Sequence, residues 1–123
     1  MPISFRIDDV NKRIYTLAVG VVTYEELFRH MNADVGPEVA AYDEILDCAG
    51  ATTDLTAEEV RKLAVERQRL AQGQQPGPVA VVATTNVFFG MLRMFDVMTS
   101  GVRPIRIFRD TREAEEWLDS IKN

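Results

Sequence analysis

The sequence predicts an α/β domain: a mostly parallel five-stranded sheet with an N-terminal antiparallel hairpin and four helices. Three observations carry that class. Apolar residues form five short strand-like segments, they recur with helical spacing in four others, and after the opening hairpin the two kinds alternate along the chain. The 123 residues match the usual size of one domain, so residues 1–123 read as a single unit. With 46% hydrophobic and 27% charged residues, the composition is that of an ordinary globule with a core.

Ile3, Phe5 and Ile7 alternate with Ser4, Arg6 and Asp8, the period-two signature of a half-buried strand. Residues 9–12 supply a turn. The run 13–22 then puts Tyr15, Leu17, Val19 and Val21 on one face and Ile14, Thr16, Ala18 and Gly20 on the other, which completes a hairpin. Thr23 and Glu26 fit a capping box, the hydroxyl accepting from the amide three residues on while the carboxylate reaches back. The helix they open carries Tyr24, Leu27, Phe28 and Met31 on one face and ends before Gly36 and Pro37. Residues 43–49, with Ile45, Leu46 and Cys48, read as a buried strand. Thr56 and Glu59 repeat the capping box and open a helix to about residue 72, with Val60, Leu63, Ala64 and Leu70 inward.

Residues 73–78 form the clearest loop, rich in Gly, Gln and Pro, and the all-apolar run 79–83 is the most strand-like segment, expected in the sheet interior. Asn86 is the expected cap of a third helix through about Thr99, stopped by Gly101. Residues 103–108 alternate as the last strand, and Asp110 with Glu113 caps a final helix carrying Ala114, Trp117, Leu118 and Ile121 on one face. Strands separated by helices pair in parallel through right-handed crossovers, so neighbouring strands would place the crossover helices on one side of the sheet. The opposite face is then less covered. The small residues Thr16, Ala18 and Gly20 are its expected lining, with Gly20 alternatively marking a close helix contact.

Several function classes drop out on composition. A net charge of -5 disfavours sequence-independent nucleic-acid binding and attachment to an anionic membrane surface. One cysteine and one histidine, Cys48 and His30, make neither an internal disulfide nor a tetrahedral zinc site. No apolar run approaches the ~20 residues that span a bilayer, and the start lacks a secretory pattern, so a cytoplasmic location is expected. There is no phosphate-binding glycine loop, nucleophile elbow, metalloprotease histidine pair or Cys-x-x-Cys motif. No enzyme, cofactor or metal is expected.

The element order resembles the SpoIIAA-like superfamily, which contains STAS domains and a related bacterial group with CRAL-TRIO-type lipid-binding annotation. The residues that carry the resemblance are Val79-Ala80-Val81-Val82-Ala83, Phe88-Phe89-Gly90-Met91-Leu92-Arg93-Met94-Phe95, and Ile105-Arg106-Ile107-Phe108-Arg109-Asp110 leading into Glu113-Ala114-Glu115-Glu116-Trp117-Leu118. It implies a superhelix of strand-helix units and a regulatory interaction module, in some members switched by phosphorylation. STAS antagonists carry Asp-Ser-Ser-Gly where this chain reads Asp54-Leu55-Thr56-Ala57, so the resemblance makes Thr56, beside Asp54, the matching phosphoacceptor. The first Ser and the Gly are missing, and Glu58 and Glu59 would repel a phosphate that the helix N-terminus would otherwise favour. Helix capping explains Thr56 without a switch.

Two further groups of residues are candidate sites. Ligands of parallel sheets sit beyond the carboxyl ends of the strands, which gathers Asp47, Cys48, Thr84, Thr85 and Asn86 as a polar pocket, with turn capping and simple burial the structural alternatives for Asp47 and Cys48. In the third helix Phe88, Leu92 and Phe95 form the sheet-facing sector. Val87, Met91, Met94 and Met98 form an adjacent one, and the polar stripe of Arg93, Asp96 and Ser100 is shared only with Phe89, a candidate exposed anchor. The methionine sector fits packing within the chain, a homodimer surface or an apolar ligand. His30 lies at the edge of its helix's apolar stripe without partners for a ligand role. The leading functional reading is a non-enzymatic interaction domain, homodimeric through the third helix. The alternative is a carrier or sensor of a small apolar ligand such as a lipid.

Overall fold

A computed structural model describes residues 3–33, 35–72, 76–99 and 103–122. Strands β1 (Ile3–Asp8) and β2 (Arg13–Val22) form the antiparallel hairpin, followed by helices α1 (Tyr24–Met31) and α2 (Pro37–Ala40). Then β3 (Asp43–Thr53), α3 (Ala57–Leu70), β4 (Val79–Val82), α4 (Asn86–Met98), β5 (Ile105–Phe108) and α5 (Thr111–Ser120) alternate. The strands lie side by side in the order β1-β2-β3-β4-β5, and every pair after the first is parallel. The expected class holds, with five helices among the described residues in place of four. The addition is α2, a single turn opened by Pro37 at a first helical position that has no use for an N–H.

Both capping boxes form: Thr23 and Thr56 each accept from the amide three residues on, and Glu26 and Glu59 return the bond. Asp110 caps α5 by accepting from the Glu113 amide at 2.8 Å. At α4 the cap is Thr85, which accepts from Phe88 N at 3.2 Å, and Asn86 is the first helical residue. A threonine hydroxyl one residue upstream does the work expected of Asn86. Strand β3 runs to Thr53, beyond the predicted end at Ala49, because β2 is long enough to pair with it throughout; Val19 to Val22 continue against Gly50 to Thr53 after a bulge. Within loop 73–78, residues 73–75 lie outside the described residues, as do Ser100 and the Gly101 stop signal.

The crossover helices α1, α3 and α4 cover one face of the sheet, as the connection rule predicts, and α5 packs on the other against β3, β4 and β5. Alternation along the strands separates the two cores. Ala18, Cys48, Val79 and Val81 meet Phe88 and Leu92 of α4 on the first face, while Ile45, Ala80 and Val82 meet Ala114 and Leu118 of α5 on the second. The uncovered area is the reverse of the one expected. Thr16 and Ala18 are buried under the helices, whereas Leu17, Val19 and Val21 stand 46%, 47% and 55% exposed beyond the reach of α5. Gly20 is required by its backbone, at φ +73°, and not by a helix, since a side chain there would meet nothing within 4 Å.

Candidate functional site

Glu44, Leu46 and Cys48 alternate onto the helix-covered face of β3, and Glu44 sits at the strand's amino end beside Val79, the first residue of β4. That position brings it under α1 and the last turn of α3. Its Oε2 accepts from Thr16 Oγ1 at 2.7 Å and lies 3.1 Å from His30 Nε2. Its Oε1 lies 3.7 Å from Arg103 Nη1, and the Glu44 and Arg103 side chains are only 11% and 10% exposed. Burial pushes the Glu44 pKa up, but the His30 hydrogen bond, the Arg103 charge and the Thr16 hydroxyl outweigh it and hold it down to about 2.

Arg103 is anchored through Nε to the carbonyl of Gly77 at 2.6 Å. Gly77 in turn fits against the chain before β3 so closely that any side chain would overlap the carbonyl oxygens of Tyr42 and Ala41. Arg67, from the last turn of α3, completes the cluster. Its Nε is buried and has no hydrogen-bond partner among the described residues. Burial lowers the pKa of both arginines; Glu44 opposes this in each, and the Arg67 charge adds to it at Arg103. One carboxylate therefore serves two guanidinium groups.

Of this cluster, Glu44, His30, Arg67 and Arg103 line one part of a cavity of about 480 Å³ between the sheet and helices α1, α3 and α4. The remaining wall is mostly apolar, with Leu46 and Val81 from the sheet, Leu63 from α3, and Phe88, Met91 and Phe95 from α4, and with Asn32 and Tyr42 among its other residues. The volume lies within the range of about 300–1,000 Å³ usual for small-molecule sites, and so does the chemistry of apolar walls with a few convergent polar groups.

The structure distributes the sequence-predicted residues differently. Of the expected polar pocket, only Cys48 lines the cavity. Asp47 accepts from Ala49 N at 3.0 Å inside β3, at the register shift against β2, where the turn expected after Leu46 does not form. Thr84 Oγ1 donates to the Ala49 carbonyl at 3.0 Å, and Arg109 donates to the Thr84 carbonyl and to Asn86 Oδ1 at 3.1 and 3.3 Å. These bonds close the carboxyl edge of the sheet on itself. Cys48 is buried, and burial, with the charges of Asp47 and Glu44, pushes its thiol up to about 12. Thr56 spends its hydroxyl on the Glu59 amide, 3.1 Å away, and Asp54 is exposed.

The methionine sector of α4 divides. Met91 turns inward to the cavity, Met94 and Met98 are half-buried, and Val87 is exposed. Phe89 is half-buried beneath the Arg109 guanidinium, 4.4 Å from the ring centre, and is not an exposed anchor. Sequence reasoning missed the Glu44, His30, Arg67 and Arg103 cluster. One signal was present: an even-numbered acidic residue in phase with Leu46 and Cys48 on a strand whose face is otherwise apolar.

An α/β fold with a cavity between its sheet and one helix layer is the class that fold and site define. A solved structure from Shewanella loihica PV-4, an uncharacterized protein of the DUF3478 family with a SpoIIAA-like fold, superimposes on this chain with a TM-score of 0.59. It is 17% identical, and the match covers 94% of this chain and 93% of that one. The fold of this chain is SpoIIAA-like, as the resemblance implied. No protein-family model and no curated protein matches the chain. Among the described residues no helix is long and apolar enough to cross a membrane.

Proposed function

We propose that this chain is a cytoplasmic, non-enzymatic regulatory domain that carries or senses a small, largely apolar molecule held between the sheet and helices α1, α3 and α4. The carrying observation is the cavity of about 480 Å³ with its mostly apolar wall. It raises the ligand alternative above the dimer reading favoured on sequence. A SpoIIAA-like fold suggests a regulatory or interaction role, and binding in the cavity would be the input to it. The non-catalytic part is supported by the one thiol, which is buried and held protonated, and by the local hydrogen bonds that occupy the polar side chains at the carboxyl edge.

The test is a titration with the neutral fluorophore N-phenylnaphthylamine. Saturable one-to-one enhancement is expected, with affinity lost in Leu46→Trp, which fills the cavity. No saturable binding by the folded chain, or unchanged binding by that variant, would overturn the reading.

A second reading, self-association through α4, rests on Val87 and Val97, which are 68% and 74% exposed on a helix whose other side is buried. Sedimentation over a range of concentrations is expected to show a dimer that Met94→Glu dissociates. A monomer at every concentration rejects it.

A further inference from the structure

The cavity has a charged end that an apolar ligand alone would leave unused. Counting the ionised side chains there, Glu44 carries one negative charge and Arg67 and Arg103 carry two positive ones. The other acidic group near Arg67, Glu66, is taken by Arg69, whose Nη2 lies 2.6 Å from its Oε2. Thr16 and His30 already occupy Oε2 of Glu44, and Arg103 is fastened to the Gly77 carbonyl as well as facing Oε1. Arg67 is the guanidinium left over. It lines the cavity, and its Nε is removed from solvent with no partner among the described residues. A buried donor without an acceptor destabilises the fold. An anion in the cavity would supply that acceptor.

We propose that the ligand is a monoanionic amphiphile, a carboxylate on an apolar chain, whose head group pairs with Arg67 while its chain lies along Leu46, Val81, Met91 and Phe95. The choice of carboxylate follows from the charge balance and from the guanidinium itself. One excess positive charge calls for one negative charge, and the planar fork of an arginine matches the two oxygens of a carboxylate. The inference rests on the cavity reading above and adds to it the class of head group.

The experiment is displacement of bound N-phenylnaphthylamine from the wild-type chain near neutral pH by dodecanoate and, separately, by dodecanol, which has the same chain length and no charge. Dodecanoate is expected to displace the probe at a concentration about tenfold lower, the scale of one charge-assisted hydrogen-bonded pair in a partly dry site. In Arg67→Gln the two competitors are expected to become equivalent; Arg67→Lys is expected to keep part of the preference. Equal potency of the two competitors on wild type overturns the anionic head group, and a preference that survives Arg67→Gln overturns its pairing with Arg67, each leaving the apolar cavity standing. Failure of the probe itself to bind overturns both. The wild-type comparison needs no variant, so a poorly folding Arg67→Gln would not protect the proposal.

Discussion

The two ends of the sheet carry similar polar side chains and use them in opposite ways. At the carboxyl edge Asp47, Thr84, Thr85 and Asn86 bond to backbone and side chains around the strand ends, and the edge is exposed. At the amino edge Glu44 gathers Thr16, His30 and Arg103 from three separate segments, beneath the helices and beside a cavity. In a parallel sheet the carboxyl edge is the expected place for a ligand. Here the amino edge has the buried charge and the cavity. What separates a capped edge from a candidate site is therefore burial beside a cavity, and not the residue types present.

Breaking the amino edge should have the largest effect. Glu44→Leu leaves Arg103 buried without its carboxylate, and a loss of about 3–5 kcal/mol is expected from urea unfolding. The same contact gives a pH signature. The folded pKa of Glu44, about 2, lies below its ordinary 4.5, so its contribution is complete above pH 4.5 and is lost as pH falls toward 2. Glu44→Gln should flatten that acid limb. Glu66, held down to about 2 first by its hydrogen bond from Arg69, titrates in the same window and should keep its share in that variant.

Next in size is Gly77→Ala, which drives a methyl into the carbonyls of Tyr42 and Ala41 and shifts the anchor of Arg103. A loss of about 2–3 kcal/mol in thermal unfolding is expected, together with weaker probe binding. The carboxyl edge should respond least. Thr56→Ala removes one helix cap and should lose about 1 kcal/mol, and Thr84→Ala about 0.5 kcal/mol, neither changing probe affinity. An effect of Thr84→Ala as large as that of Glu44→Leu would erase the contrast between the two edges.

The same contrast explains what the sequence made legible. Element order, parallel pairing, both capping boxes and the inward faces of α3 and α4 depend on residues within a few positions of one another, and spacing reveals them. The carboxyl-edge residues are legible by their place at the strand ends, although Thr84 bonds to Ala49, 35 residues away, and Asn86 to Arg109, 23 residues away. The amino-edge cluster joins Thr16, His30, Glu44, Arg67 and Arg103, whose proximity exists only after β2, β3 and β5 are aligned and α1 and α3 are laid across them. No local pattern encodes it. The uncovered sheet face was assigned to Thr16 and Ala18 because small residues suit either an open face or a close-packed one. The bulky Leu17, Val19 and Val21 lie on the open side because α5 packs on β3 to β5 and meets β2 at its amino end, through Arg13 and Tyr15.

The most direct test of the cavity is amide-shift mapping of the isotope-labelled chain during titration with dodecanol, a ligand that tests the apolar wall without the charge. Shifts concentrated at Leu46, Leu63, Val81 and Met91, with Thr84, Asn86 and Val87 unmoved, are predicted. Shifts confined to Thr84, Asn86 and Val87 would return the site to the carboxyl edge and contradict the assignment made from the cavity.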